Sequence, residues 1–317
     1  MFGELIGNET TKATLARFIG QGRLPHALGL EGPAGSGKRT LARLVAGAAV
    51  CAAQPSQRPC GQCAHCRKAQ AGVHPDIVTL SAQEGKASIS IDAVRRMRSE
   101  TQLTPNEAAV RVFLVEDAHK LTPQGQNALL KVIEEPPAGV TFILTYTGRG
   151  ALLSTIRSRL VTVGVEEPTV LQCAQWLAGR LPEAGEDLCR QAAQLAQGNI
   201  GKALELVQNP KALELAQHPV KLVQALKNKD GYSALVLLSG YEKKREEFQR
   251  LLEQTGNLAK RQAAEPFKEA QGNHCMLTAL QAVNLADIIE EAAAQTAQNV
   301  GLNLVSARLC AAAMNRM

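Results

Sequence analysis

Five short apolar runs punctuate the first half of the chain, at residues 26–31, 76–80, 110–115, 140–145 and 160–165. Runs of this length that stay apolar instead of alternating predict strands buried on both faces. Amphipathic stretches of helical period lie between them. One covers 39–50, and another surrounds 94–98 with Asp92 as its expected cap. A third covers 124–133, opened by Thr122-Pro123 and stopped by Pro136-Pro137. Such alternation predicts a mostly parallel sheet covered by helices. Beyond Glu166-Glu167-Pro168 the strand signal ends. Residues 169–207 read as short helices, with Gly198-Asn199 as a break before 201–207. From about Pro210 the pattern is helical throughout, with loops expected at Asp230-Gly231, Gly256-Asn257 and Gly272-Asn273.

Composition narrows the class. In 317 residues, 45% are of hydrophobic type, ample for packed cores, and no apolar run approaches the ~20 residues of a membrane span. Met1-Phe-Gly-Glu4 lacks the basic-then-apolar order of a signal peptide, so the expectation is a soluble, cytoplasmic protein. Charge is uneven: residues 1–165 carry 19 Lys and Arg against 12 Asp and Glu, whereas residues 166–317 carry 16 against 17. A basic first half suits nucleic acid or an acidic partner. With only ten aromatic residues, a base-stacking platform is excluded in favour of phosphate contacts.

Four of the eight cysteines are clustered, Cys51, Cys60, Cys63 and Cys66, spaced C-x8-C-x2-C-x2-C. Pro59 and Gly61 turn the chain between the last three, and Cys51 can fold back from the end of the preceding helix. Two x2 intervals suit four thiolates around a tetrahedral Zn2+ better than two disulfides or unrelated buried thiols. A fourth thiolate closes the coordination shell, so the zinc is expected to be structural. Gln62, Ala64, His65, Arg67 and Lys68 offer only a small basic patch, which argues against the cluster as a DNA reader. Cys173, Cys189, Cys275 and Cys310 read as small core residues.

Upstream lies a phosphate-loop pattern, with Gly32, Gly35, Gly37 and Lys38 in place. Backbone N–H groups of such a loop surround phosphates, Lys adds charge, and a following Ser or Thr holds Mg2+. Here Arg39 stands at the metal position and Thr40 comes one residue late, turned by about 100° on a helix. The acids after the third strand, Glu116-Asp117, reverse the usual Asp-Glu order, so the longer side chain falls at the metal position and the shorter at the water. ATP binding and a retained loop cation without turnover both remain open on these residues, while hydrolysis is disfavoured.

Taken together, His26-Ala27, the glycine loop, the four cysteines, Glu116-Asp-Ala-His119 and Asn127-Ala-Leu-Leu-Lys-Val-Ile-Glu-Glu-Pro-Pro137 resemble the bacterial DNA polymerase III clamp-loader family of AAA+ proteins. Ser158-Arg159 is similar to that family's Ser-Arg-Cys motif, with Leu160 replacing the cysteine. The motifs cover about 1–207. The resemblance implies an α/β P-loop AAA+ domain at 1–165 with a zinc module at 51–66, a helical lid at 166–208 and an all-α collar at 209–317 that assembles a pentameric ring. Arg39, Glu116-Asp117 and Gly201, which stands where hydrolysing members carry a nucleotide-sensing Arg, favour the family's non-hydrolysing δ′ branch over the ATP-hydrolysing γ/τ branch. The implied partners are γ/τ and δ subunits, the sliding clamp and primed DNA, in a replisome setting. The implied role of Arg159 is an arginine finger, with Ser158 beside it, acting on a neighbour's ATP.

Overall fold

The computed structural model describes residues 2, 5–82, 88–264 and 277–316. The chain divides into two compact units, Met1–Val207 and Gln208–Met317. Cys275 and the expected loop at Gly272-Asn273 lie outside the described residues.

The first unit is built on strands β1 (Ala27–Glu31), β2 (Ile77–Leu80), β3 (Arg111–Val115), β4 (Val140–Tyr146) and β5 (Val161–Gly164). They form one parallel sheet in the order β2-β3-β4-β1-β5. Central strands β3 and β4 are buried along their whole length, which explains their unbroken apolar sequence. Successive side chains still choose opposite faces. Phe113, Val115, Phe142 and Leu144 pack with Val94, Met97 and Leu129 on one side. Val112, Leu114 and Ile143 pack with Leu15, Leu41 and Val45 on the other. Helices α1 (Glu9–Gly20) and α2 (Lys38–Ala49) therefore cover one face, and α4 (Ile91–Glu100) and α5 (Pro123–Glu134) the other. Short helices α3 (Ala64–Gln70) and α6 (Ser154–Arg157) lie between α2 and β2 and between β4 and β5 in the chain. Helices α7 (Val170–Arg180), α8 (Glu186–Leu195) and α9 (Ile200–Gln208) follow the sheet, and Cys173 and Cys189 are fully buried there.

The second unit is helical: α10 (Pro210–Lys227), α11 (Gly231–Ser239), α12 (Arg245–Ala264), α13 (Ala279–Ala297) and α14 (Leu302–Arg316). Leu222, Leu226, Phe248, Leu252, Leu285, Ile289, Val305 and Leu309 make its core, with Cys310 buried among them.

Two local expectations are corrected, and the loop expected at Asp230-Gly231 is found at 228–230. Ser90, not Asp92, caps α4, its hydroxyl accepting the Ala93 N–H, while Asp92 sits in the first turn where an acid favours the helix dipole. Gly256-Asn257 is no loop but the interior of α12. A Cβ at Gly256 would stand 3.2 Å from Ile289 Cγ2, so glycine there serves the close approach of α12 and α13. Asp230-Gly231 starts α11 directly, with the Asp230 carboxylate accepting the Ser233 N–H.

Asp76 fixes the approach to β2 and β3. It is 0% exposed, and its carboxylate accepts N–H bonds from Asn106, Glu107 and Ala108 at 2.6, 2.8 and 2.9 Å. Burial opposes its charge, but the three donors together hold the carboxyl below the usual range. Because the folded pKa is depressed, the stabilisation is complete above the ordinary carboxylate range and is lost as pH falls through the folded value. Asp76→Ala is expected to cost about 3 kcal/mol at neutral pH, since three charged hydrogen bonds disappear and their N–H donors lose the acceptor that orders them. The same variant should lose part of the acid limb of the stability curve. Urea unfolding across pH checks this, and a loss below about 0.5 kcal/mol, the range of neutral surface changes, would refute it.

Candidate functional site

The phosphate loop leaves β1 at Gly32 and enters α2 at Lys38. Gly35 and Gly37 take φ of +81° and +88°, a region costly for residues with a Cβ. At Gly32 the constraint is space, because a methyl group would overlap the Val165 carbonyl oxygen. Lys38 is 5% exposed, and its Nζ donates to the Pro33 carbonyl of the loop itself at 2.5 Å. Burial pulls its pKa down, partly offset by Asp117. Thr40 is exposed. The Ser36 hydroxyl is fully buried without a hydrogen-bond partner among the described residues.

The start of α9 closes over this loop. Asn199 Nδ2 donates to Ala34 O at 2.5 Å and to Glu167 Oε1 at 2.6 Å, and the Gly201 N–H reaches Gly35 O at 3.3 Å. A Cβ at Gly201 would stand 3.1 Å from Gly35 Cα. An arginine at 201 would thus begin by pressing on the loop it is meant to serve. The missing side chain was legible in the sequence. The clamp formed by Asn199 was not, because a lone Asn in a helix break ordinarily reads as a cap, and Asn199 is also that, accepting the Lys202 N–H.

The acids at the end of β3 face arginines. Glu116 is buried, with Oε1 bound by Arg43 Nε and Nη2 at 3.2 and 3.0 Å and Oε2 3.6 Å from Arg39 Nε. Asp117 has φ of +53°, which turns its carboxylate to Arg39 Nη2 at 2.5 Å and Lys120 Nζ at 3.1 Å. Burial works against the Asp117 charge, but these two cations outweigh it and lower the pKa. Thr145 Oγ1 accepts the Asp117 N–H at 2.9 Å and fixes that turn. The structure thus gathers Gly32, Gly35, Gly37, Lys38, Arg39, Glu116 and Asp117 into one site and adds Arg43, Thr145 and Asn199, which sequence reasoning missed.

Ser158 and Arg159 lie elsewhere, at the end of α6. Arg159 Nη2 meets Glu134 Oε1 at 2.5 Å, and Nη1 donates to Thr155 O at 3.0 Å. None of these partners belongs to the phosphate loop.

The four clustered cysteines converge as expected. Cys51 Sγ lies 3.6 Å from Cys60 and 3.9 Å from Cys63, and Cys60 lies 4.0 Å from Cys66. Tetrahedral Zn–S bonds of 2.3 Å set sulfurs roughly 3.8 Å apart, whereas a disulfide closes them to about 2.05 Å. All four are free thiols in metal-holding proximity. N–H groups of Cys60, Cys63 and Cys66 point at neighbouring sulfurs. Burial opposes a Cys63 thiolate, yet the N–H groups of Cys66 and Ala52 and the neighbouring thiols bring the thiol down to about 6, while burial and the neighbouring sulfurs push Cys66 up to about 12. The donor set fits a zinc ion of structural type.

His65, His74 and Glu107 form a second cluster. His74 Nδ1 accepts the Asp76 N–H at 3.0 Å, so the neutral ring carries its proton on Nε2 and gives it to His65 Nδ1 at 2.9 Å. That tautomer leaves Nε2 no lone pair for a metal, and Glu107 is paired with Lys68.

Elemental analysis of the purified chain should give one zinc per molecule. Cys66→Ser should release it and open the 51–75 segment to protease while leaving the sheet folded. Absence of zinc, or a clean pair of disulfides, would refute the assignment.

Residues 7–169, more than half of the chain, match the family described as "DNA polymerase III, delta subunit". The DNA polymerase III subunit delta' of Escherichia coli K12 is 32% identical over 218 residues, covering 69% of this chain and 65% of that protein. The subunit gamma/tau of Mycobacterium tuberculosis H37Rv is 36% identical over 158 residues, 50% of this chain and 27% of that protein. The chain therefore spans less than two thirds of the length of either relative. A solved DNA polymerase III, gamma subunit-related protein from Thermotoga maritima aligns over 96% of this chain and 98% of its own, at 18% identity and a TM-score of 0.44. On the family match, the chain belongs to the bacterial DNA polymerase III clamp-loader family.

Proposed function

We propose that this chain is a δ′-type, non-hydrolysing subunit of a DNA polymerase III clamp loader, a ring member that helps place the sliding clamp on primed DNA. The observation that carries this reading is the self-paired nucleotide site. Lys38 is bonded to its own loop, both acids are held by arginines, and Asn199 and Gly201 bind the loop carbonyls. Phosphoryl transfer depends on a metal ion held by side-chain oxygens and on a carboxylate or amide placing the nucleophile. Arg39 and the ion-paired Glu116 and Asp117 supply neither.

Ser158-Arg159 gives the chain a different part to play. A guanidinium offered across a subunit interface stabilises charge developing on a transferring phosphoryl group. In this reading 1–165 is the base domain, 166–208 the lid and 209–317 the collar, with γ/τ and δ as ring neighbours in the cytoplasm. DNA is touched through phosphates by the basic first half, and the four cysteines hold structural zinc. Among the described residues, no helix is long and apolar enough to cross a membrane. The buried, unpartnered Ser36 hydroxyl favours a second reading, in which a phosphate enters the loop and the chain is an ATPase of γ/τ type.

Turnover separates the two. The isolated chain should hydrolyse ATP negligibly, with or without primed DNA, and neither Arg39→Ser nor exchange of the two acids should restore activity alone. A rate near 1 per second, about the lower end for enzymes, abolished by Lys38→Ala, would establish the second reading instead.

In a reconstituted ring, Arg159→Ala should leave assembly intact and lower DNA-stimulated ATPase and clamp loading. A fully dependent site loses about 10³-fold or more, but the other sites keep the whole-ring loss partial. Arg159→Lys should rescue poorly, because an ammonium lacks the planar fork. Unchanged ATPase and loading would make Arg159 an ordinary surface charge.

A further inference from the structure

Arg159 is not held out to solvent with its donors free. Nη2 is taken by Glu134, and Nη1 donates to Thr155 O and contacts Ser158 Oγ at 3.3 Å. A guanidinium grips a phosphate best through two parallel donors. Here both terminal nitrogens are engaged, and the Glu134 carboxylate would repel a second anion arriving at the same edge. The two ends of this contact sit on separate elements. Glu134 is the last residue of α5, which the prolines at 136 and 137 prevent from continuing, and Arg159 follows α6. Their side chains are 36% and 40% exposed, so water can replace the pairing at small cost.

We propose that Glu134 is a positioning residue that parks Arg159, competing for its guanidinium with the phosphate of a nucleotide bound to the neighbouring subunit. This rests on the reading of Arg159 as a finger acting in trans. Binding then exchanges one anion for another on the same cation, and the neighbour's apparent affinity is reduced by whatever the Glu134 pair is worth. An exposed pair of this kind shifts an equilibrium by about five-fold at most. Glu134 therefore tunes the neighbouring site and does not shut it.

Glu134→Gln keeps the shape and removes the charge. In the reconstituted ring it should lower Kd for a fluorescent non-hydrolysable ATP analogue at the one site that Arg159 faces by about two- to five-fold, and lower the whole-ring KM for ATP by less, with kcat moving least. The gap from wild type should narrow as salt rises, because exposed charges are screened. Glu134→Ala should act in the same direction. Glu135→Gln makes the same change in charge one residue away and should leave KM at the wild-type value. In an Arg159→Ala background Glu134→Gln should have no further effect. If Arg159→Ala alone changes nothing, the finger reading falls and this proposal with it. If Arg159→Ala is defective but Glu134→Gln leaves KM unchanged or raised, parking is refuted and the finger stands. A fall in KM that persists without Arg159 would reduce the effect to general charge and refute parking as well.

Discussion

Around the phosphate loop, neighbouring segments approach so closely that three glycines have no room for a side chain of their own. A methyl group at Gly32 would overlap the Val165 carbonyl, one at Gly35 would overlap the Asn199 side chain, and one at Gly198 would overlap the Pro168 carbonyl. These three contacts tie the loop, the strand end that follows β5 and the turn before α9 into one assembly. Polar backbone groups brought this close must find partners, and they do: Ala34 and Gly35 carbonyls receive Asn199 and Gly201 donors. Lys38 is buried with its ammonium donating to a loop carbonyl, and burial lowers its pKa, partly offset by Asp117.

The departures at the acids and at position 39 form a single device and not two independent defects. Arg39 bonds Asp117 and approaches Glu116, while Arg43 takes the other Glu116 oxygen. A guanidinium thus stands against the carboxylates next to a loop of the kind that ordinarily holds Mg2+. Removing Arg39 does not empty the site, because Lys120 still holds Asp117 and Arg43 still holds Glu116. Glu116 is buried, and a buried carboxylate stripped of its partners costs far more than the pairing contributes. The network is therefore self-reinforcing.

What the sequence made legible followed from periodicity and from residues with few conformational roles. Unbroken apolar runs marked β3 and β4, and Thr122-Pro123 marked the start of α5, where the Thr122 hydroxyl accepts the Gly125 N–H. The cysteine spacing located four thiols close enough to hold a metal ion. What stayed hidden depended on contacts between distant segments. Gly256 read as a break because glycine is a poor helix former, yet tertiary packing against Ile289 overrides propensity. Asp92 and Ser90 are both good caps, and only backbone geometry chooses between them. Asn199 and Arg43 carry no motif, and the motif that contains Glu134 does not name its partner, since each matters through a residue at least 25 positions away.

Helix α2 links the two chemical centres of the first unit and separates their roles. It is 12 residues long, about 18 Å at the usual rise. Lys38 opens it at the phosphate loop, and Cys51 lies just past its other end. A cation held by Cys51, Cys60, Cys63 and Cys66 is a full helix length from the loop lysine, too far to polarise a phosphate there. Its effect would be mechanical, fixing the tail of α2 against the cysteine segment. A second line of contacts runs from that segment into the sheet, through His65, His74 and the Asp76 N–H, while the Asp76 carboxylate binds residues 106–108 ahead of β3. The module is thereby joined both to the helix that carries the loop lysine and to the strand that carries Glu116 and Asp117. A metal ion held by these cysteines would stiffen the frame of the phosphate loop without entering its chemistry.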